Sequence, residues 1–118
     1  MNRPKTIICD IDGTLIYHHG DLSSQINEKP KLLPGVIEKI NEWDKKGYNI
    51  ILVTGRRESL RNETKKQLES LGIFYDQLIM GVGGGPRVLI NDLKPTGTHK
   101  TAIAYNLERN IGVKEVDV

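Results

Sequence analysis

Thr6-Ile7-Ile8-Cys9-Asp10-Ile11-Asp12-Gly13-Thr14-Leu15 is the stretch on which the reading of this chain turns. The consecutive apolar residues Ile7, Ile8 and Cys9 predict a short, fully buried strand over residues 5–10. Two carboxylates, Asp10 and Asp12, stand two residues apart where that strand ends. In an extended chain, residues i and i+2 point to the same face. Like charges held that close are costly unless a cation lies between them or one carries a proton. The pair therefore marks a cation site, an acid–base pair, or both.

Working outward, residues 16–33 are polar and irregular, and read as a loop or insert too small for a second domain. Pro34-Gly35 opens a helix, because a proline at the first turn sacrifices no needed N–H. Val36, Ile37, Ile40 and Trp43 follow at helical spacing, and Gly47 stops the helix. Residues 48–53 predict a second strand, with the turn Thr54-Gly55-Arg56-Arg57 at its end. A second amphipathic helix spans Glu58 to Leu71, with Leu60, Leu68 and Leu71 on one side. Asp76–Met80 reads as a third strand, Gly81–Pro86 as a glycine-rich loop, and Arg87–Asn91 as a fourth strand with Val88-Leu89-Ile90 at its centre. Thr101–Leu107 has a loose alternation that we read as an edge strand rather than a helix.

Buried strands alternating with helices indicate an open, mostly parallel sheet with right-handed crossovers. In such sheets ligands bind outside the carboxyl ends of the strands. Asp10 and Asp12, Thr54, and Asn91-Asp92 all fall at predicted carboxyl ends, so three separated segments should meet in one pocket. Clustered carboxylates suit a hard, oxygen-preferring cation such as Mg²⁺, which commonly shares its site with a substrate phosphate. The Thr54 hydroxyl and the N–H groups after it can hold a phosphate oxygen, with Gly55 allowing close approach, and Thr54 equally suits a helix N-cap. The glycine loop lacks both the P-loop and the dinucleotide pattern, and it precedes a strand where those motifs follow one. Arg87 and Lys94 are the basic residues nearest Asp92. His18 and His19 are too few for a zinc site, and read as surface residues of a loop that leaves the strand carrying Asp10.

The 118 residues fit one domain, residues 1–118, large enough to bury a core without disulfides. Seventeen basic and 15 acidic residues give a net charge of +2, spread along the chain. Nothing in that pattern reads as a nucleic-acid tail or a membrane-binding face. The single cysteine, Cys9, reads as a core thiol and is compatible with a reducing cytoplasm. The first residues lack the apolar region of a signal peptide, and no apolar run reaches bilayer length. A cytoplasmic protein is expected.

Ile8-Cys9-Asp10-Ile11-Asp12-Gly13-Thr14-Leu15 resembles the first motif of the haloacid dehalogenase (HAD) superfamily of phosphatases. Val53-Thr54-Gly55-Arg56 resembles the second motif, and Leu89-Ile90-Asn91-Asp92 the fourth, in the family's order. The resemblance implies a three-layer Rossmann-like α/β fold, a mostly parallel sheet with helices on both faces. With no room for a cap domain, the chain resembles the small capless type. It implies that Asp10 is the nucleophile and forms an aspartyl-phosphate. Asp12 would protonate the leaving oxygen and then deprotonate the attacking water, so it begins the cycle protonated. Thr54, Gly55 and a basic residue would bind the phosphoryl group. We assign that basic role to Arg87, with Lys94 as rival. Mg²⁺ would be held by Asp10, the backbone carbonyl of Asp12, and Asp92. Asn91 stands where many relatives carry an acid.

The implied substrate is a phosphorylated small molecule, by analogy a sugar phosphate, with a neighbouring subunit able to close the site. Nucleic acid and membrane partners are not expected. A HAD-fold binding or assembly module is the alternative reading. A receiver-type phosphoacceptor domain is disfavoured, because its acceptor Asp would follow the third strand, near Met80, and none is there.

Overall fold

In the computed structural model, which describes residues 3–94 and 100–118, the chain runs β1 (Thr6–Asp10), α1 (Leu22–Asn27), α2 (Val36–Lys45), β2 (Asn49–Val53), α3 (Arg61–Ser70) and β3 (Gln77–Ile79). A single 3-10 turn, Glu58–Leu60, leads into α3. The three strands form one parallel sheet in the order β1-β2-β3. Asp10 pairs with Val53, and Val53 with Ile79, so all three strands end level at their carboxyl ends. The α/β class, the parallel sheet and the βαβ alternation are as the sequence indicated.

α2 forms because Val36, Ile40 and Trp43 recur at helical spacing and bury against the sheet. It is introduced by Gly35 at φ 79° and closes before Gly47 at φ 76°. The core gathers these residues with Ile50 and Leu52 of β2, Leu68 of α3, and Ile11, Leu15 and Ile16 from the loop after β1. The C-terminal Val113 and Val116 complete it.

Four expectations need correction. The insert 16–33 contains a helix, α1, which Asp21 caps by accepting the Ser24 N–H at 2.8 Å. Its sequence, Leu-Ser-Ser-Gln-Ile-Asn, has too few apolar residues for a periodic signal. The fourth strand, Arg87–Asn91, does not form: the segment pairs with no strand, and Val88 and Ile90 are 81% and 89% exposed. An apolar triplet is consistent with a strand, but only an available edge makes it one. The edge strand at 101–107 is likewise absent. Finally, β1 is not fully buried. It is an edge strand of this sheet, and Ile8 is 54% exposed on one face.

Candidate active site

The chain leaves β1 at Asp10 and doubles back at once. Leu15 and Ile16 both donate their N–H to the Ile11 carbonyl, at 2.8 and 3.1 Å, and Gly13 donates to Ile16 at 2.7 Å. Gly13 adopts φ +87°, and a Cβ there would lie 3.1 Å from Arg109 Cγ, so both conformation and space favour glycine. Asn110 braces the same loop from the C-terminal segment. Its N–H donates to the Gly13 carbonyl at 2.8 Å, and its Oδ1 accepts the His18 N–H at 2.7 Å.

Asp12 sits at the centre of a buried polar network. The Arg56 guanidinium meets it with two parallel bonds, Nε to Oδ2 at 2.8 Å and Nη2 to Oδ1 at 2.7 Å. Gln25 Nε2, from α1, adds a third donor to Oδ1 at 2.8 Å. The Arg56 side chain is only 2% exposed. Its Nη1 donates to Thr64 Oγ1 at 3.0 Å and Gln67 Oε1 at 2.7 Å, both on α3. Gln67 in turn donates to the Gln25 carbonyl at 2.9 Å. A buried arginine is expensive unless its donors are met, and here four bonds engage four of its five N–H groups. Both oxygens of Asp12 accept in these bonds, two on Oδ1 and one on Oδ2.

Asp10 is treated differently. It is solvent-accessible, yet partial desolvation of its carboxyl raises its pKa above the usual aspartate value, and repulsion by Asp12 adds to that. The Ile11 N–H, the Arg87 charge and the Thr14 hydroxyl act in the opposite sense, without restoring the ordinary value. Cys9, one residue back, is a core thiol as expected. Burial, helped by the Asp10 charge, pushes it up to about 12.

Thr54 ends β2 and is buried. Its Oγ1 accepts the Arg56 N–H at 3.1 Å, which is the turn-forming role, and its own O–H proton remains to be donated. The glycine loop lies against this turn: Gly81 N–H donates to the Arg56 carbonyl and Val82 N–H to that of Thr54. The Gly83 carbonyl stands 3.5 Å from where a Cβ on Gly55 would be. Arg87 follows the loop, exposed, with its charge felt at Asp10, whereas Lys94 is not among the groups acting on Asp10.

The structure thus brings Asp10, Asp12, Thr54, Gly55 and the Arg87 charge to one end of the sheet. It does not bring Asp92, which is exposed in the irregular stretch after Arg87. Among the described residues, no group of three or more His, Cys, Asp or Glu gathers to hold a metal. His19 pairs with Glu28 through Nδ1 at 3.1 Å and packs edge-on to Tyr17, leaving Nε2 buried with no partner among the described residues. Sequence reasoning missed Arg56, Gln25 and Asn110. Arg56 stood in view within Thr54-Gly55-Arg56, and Asp12 needed a positive partner. Neither Gln25 nor Asn110 gave a signal of its own.

A parallel α/β sheet with paired aspartates at the end of its first strand and a threonine at the end of its second defines a small HAD-like phosphatase fold. Within that class, the model of the family "PITM 1-3, LNS2 domain" matches residues 7–114, and the chain belongs to this family. A chain in the structure of the Pnkp1/Rnl/Hen1 complex is 33% identical over 65% of this chain, with a TM-score of 0.58. The present chain spans 28% of that chain's length. A structural-genomics target from Vibrio cholerae shares the fold at 22% identity and a TM-score of 0.52, covering 78% of this chain and 85% of its own. The D,D-heptose 1,7-bisphosphate phosphatase from B. bronchiseptica, complexed with magnesium and phosphate, aligns more loosely. Its identity is 19%, over 64% of this chain and 49% of that one, with a TM-score of 0.47. No curated protein sequence matches the chain. No helix among the described residues is long and apolar enough to cross a membrane.

Proposed function

We propose that residues 1–118 act as one phosphatase unit that hydrolyses a phosphomonoester through an aspartyl-phosphate on Asp10. The observation that carries this reading is the division of labour between the two carboxylates. Asp10 is accessible and, among the described residues, carries no side-chain ion pair, as suits a nucleophile. Asp12 is fixed by three donors, as a proton-transfer group should be.

In the first step an Asp10 oxygen attacks phosphorus, the bond to the leaving oxygen breaks, and that oxygen takes a proton from Asp12. In the second, Asp12 takes a proton from water, the water oxygen attacks phosphorus, and the bond to Asp10 breaks, returning both carboxyls to their starting states. The Arg87 charge offsets that of the transferring group.

Magnesium fits the described residues only in part. Asp10 and the Asp12 carbonyl would hold it, and its charge would offset the desolvation and the smaller repulsion from Asp12 that raise the Asp10 pKa. The third implied ligand, Asp92, does not gather with these two among the described residues. The reading places the protein in the cytoplasm acting on a phosphorylated small molecule, with a sugar phosphate first in line and a second copy available to close the open site. Because one similar structure is an RNA repair complex, phosphorylated nucleic-acid ends belong in the same screen.

The test is hydrolysis of a phosphometabolite panel with Mg²⁺, with EDTA, and by Asp10→Asn. Turnover that needs Mg²⁺ and Asp10 supports the reading, and no turnover of any panel member ends it. The exposed position of Asp92 favours one competitor, a HAD-fold binding or assembly module. Phosphomonoester binding without hydrolysis is the result that selects it.

A further inference from the structure

We propose that Arg56 is a positioning residue for the proton-transferring carboxylate of Asp12, and that Gln25 shares the task; this rests on the phosphatase reading above. A carboxylate oxygen accepts about two hydrogen bonds. Asp12 Oδ1 already accepts two, from Arg56 Nη2 at 2.7 Å and Gln25 Nε2 at 2.8 Å. Oδ2 accepts one, from Arg56 Nε at 2.8 Å. Among the described residues, one acceptor position is left on the carboxylate, and it is on Oδ2. A proton that Asp12 gives or takes passes through that position.

The clamp is itself clamped. Thr64 and Gln67 hold Nη1 from consecutive turns of α3, and Thr54 Oγ1 holds the backbone N–H. Gln67 also donates to the Gln25 carbonyl, so one α3 side chain fixes both residues that grip Asp12. Rotation of the carboxylate breaks at least two bonds at once. Lysine carries the same charge without the planar fork and cannot reproduce this geometry.

A role confined to holding the fold together would lower activity toward every substrate alike. A role in positioning the acid depends on how much the leaving group needs its proton. The test compares kcat/KM for glycerol phosphate, whose alkoxide leaves poorly, with that for p-nitrophenyl phosphate, whose phenolate leaves without help. Arg56→Lys is expected to lose about 100-fold on the first and to stay within about threefold on the second. It is also expected to accumulate phosphoenzyme from p-nitrophenyl phosphate, because hydrolysis of the intermediate still needs Asp12 as base.

Gln25→Met removes one donor and no charge, and should show the same pattern at about tenfold. It carries the test if circular dichroism shows Arg56→Lys unfolded. Equal losses on the two substrates, or none on either, would overturn the positioning role while leaving the phosphatase reading in place. If the wild type turns over neither, the same comparison is run on the panel substrates it does cleave, ranked by leaving-group pKa; no turnover of any panel member removes the phosphatase reading, and the positioning role with it.

Discussion

Asp12 and Asp92 both follow apolar runs, and the chain builds around them in opposite ways. Asp12 has its oxygens engaged by Arg56 and Gln25, which α3 braces in turn. Asp92 lies in an irregular, exposed stretch whose apolar neighbours Val88 and Ile90 face water. Both stretches are rich in apolar residues, so hydrophobicity alone does not separate them. The difference is what the chain offers as a surface to pack on. The loop after β1 meets α2, α3 and the C-terminal Val113. Among the described residues, 87–92 have no strand edge against them.

The comparison can be broken most sharply at the two acids themselves. Asp10→Asn is expected to reduce turnover at least about 1,000-fold, by loss of the attacking group. Asp92→Asn should act through the metal alone, raising the Mg²⁺ needed for half-maximal rate by at least about tenfold. Steady-state assays across a Mg²⁺ titration separate the two. An Asp92→Asn protein indistinguishable from wild type would show that residues 87–92 never join the site.

Trypsin probes the same contrast in the backbone. Cleavage after the exposed Arg87 and Lys100 should precede cleavage after the buried Arg56 by about 100-fold or more in rate, read by mass spectrometry. Comparable rates would mean that the two regions open together. In packing, Ile40→Ala should cost about 3 kcal/mol, since Ile40 is fully buried. Ile90→Ala should change stability by less than about 0.5 kcal/mol. Urea unfolding measures both, and a large cost at Ile90 would reveal a partner surface in solution.

The smallest effect is electrostatic. Because the pKa of Asp10 is raised, the folded state holds its proton more tightly than the unfolded chain does. That contribution to stability is present in full below the unfolded value and disappears as pH rises through the folded one. Asp10→Asn should therefore melt higher than wild type at neutral pH, with the gap closing on acidification. Solvent screening keeps the difference below about 1 kcal/mol. A thermal melt series from pH 3 to 7 gives the sign.

Much of this fold was legible because its signals are local and periodic. β1, α2, β2 and the helix after Glu58 each carry their own apolar pattern and their own stop, such as Gly47. α1 was missed because its stability comes from an Asp21 cap and from Gln25 reaching across to Asp12, and neither is a pattern of hydrophobicity. The strand expected at Arg87–Asn91 was overread because an apolar triplet says nothing about which edge would receive it. The aspartates, Thr54 and Gly55 were visible as chemistry placed at strand ends. Arg56 was overlooked as the partner of Asp12 because arginine is ordinarily a surface residue. The positive partner of Asp12 stands two residues after Thr54, inside the protein.

The thiol of Cys9 has a practical use that follows from its place in β1. It is the chain's one cysteine, it is buried, and burial holds it protonated well above neutral pH. An alkylating dye can reach it only when the core packing around β1 opens. The rate of labelling therefore times the breathing of the strand that ends in Asp10, without any engineered probe, and binding of a phosphate mimic at that end of the sheet should slow it.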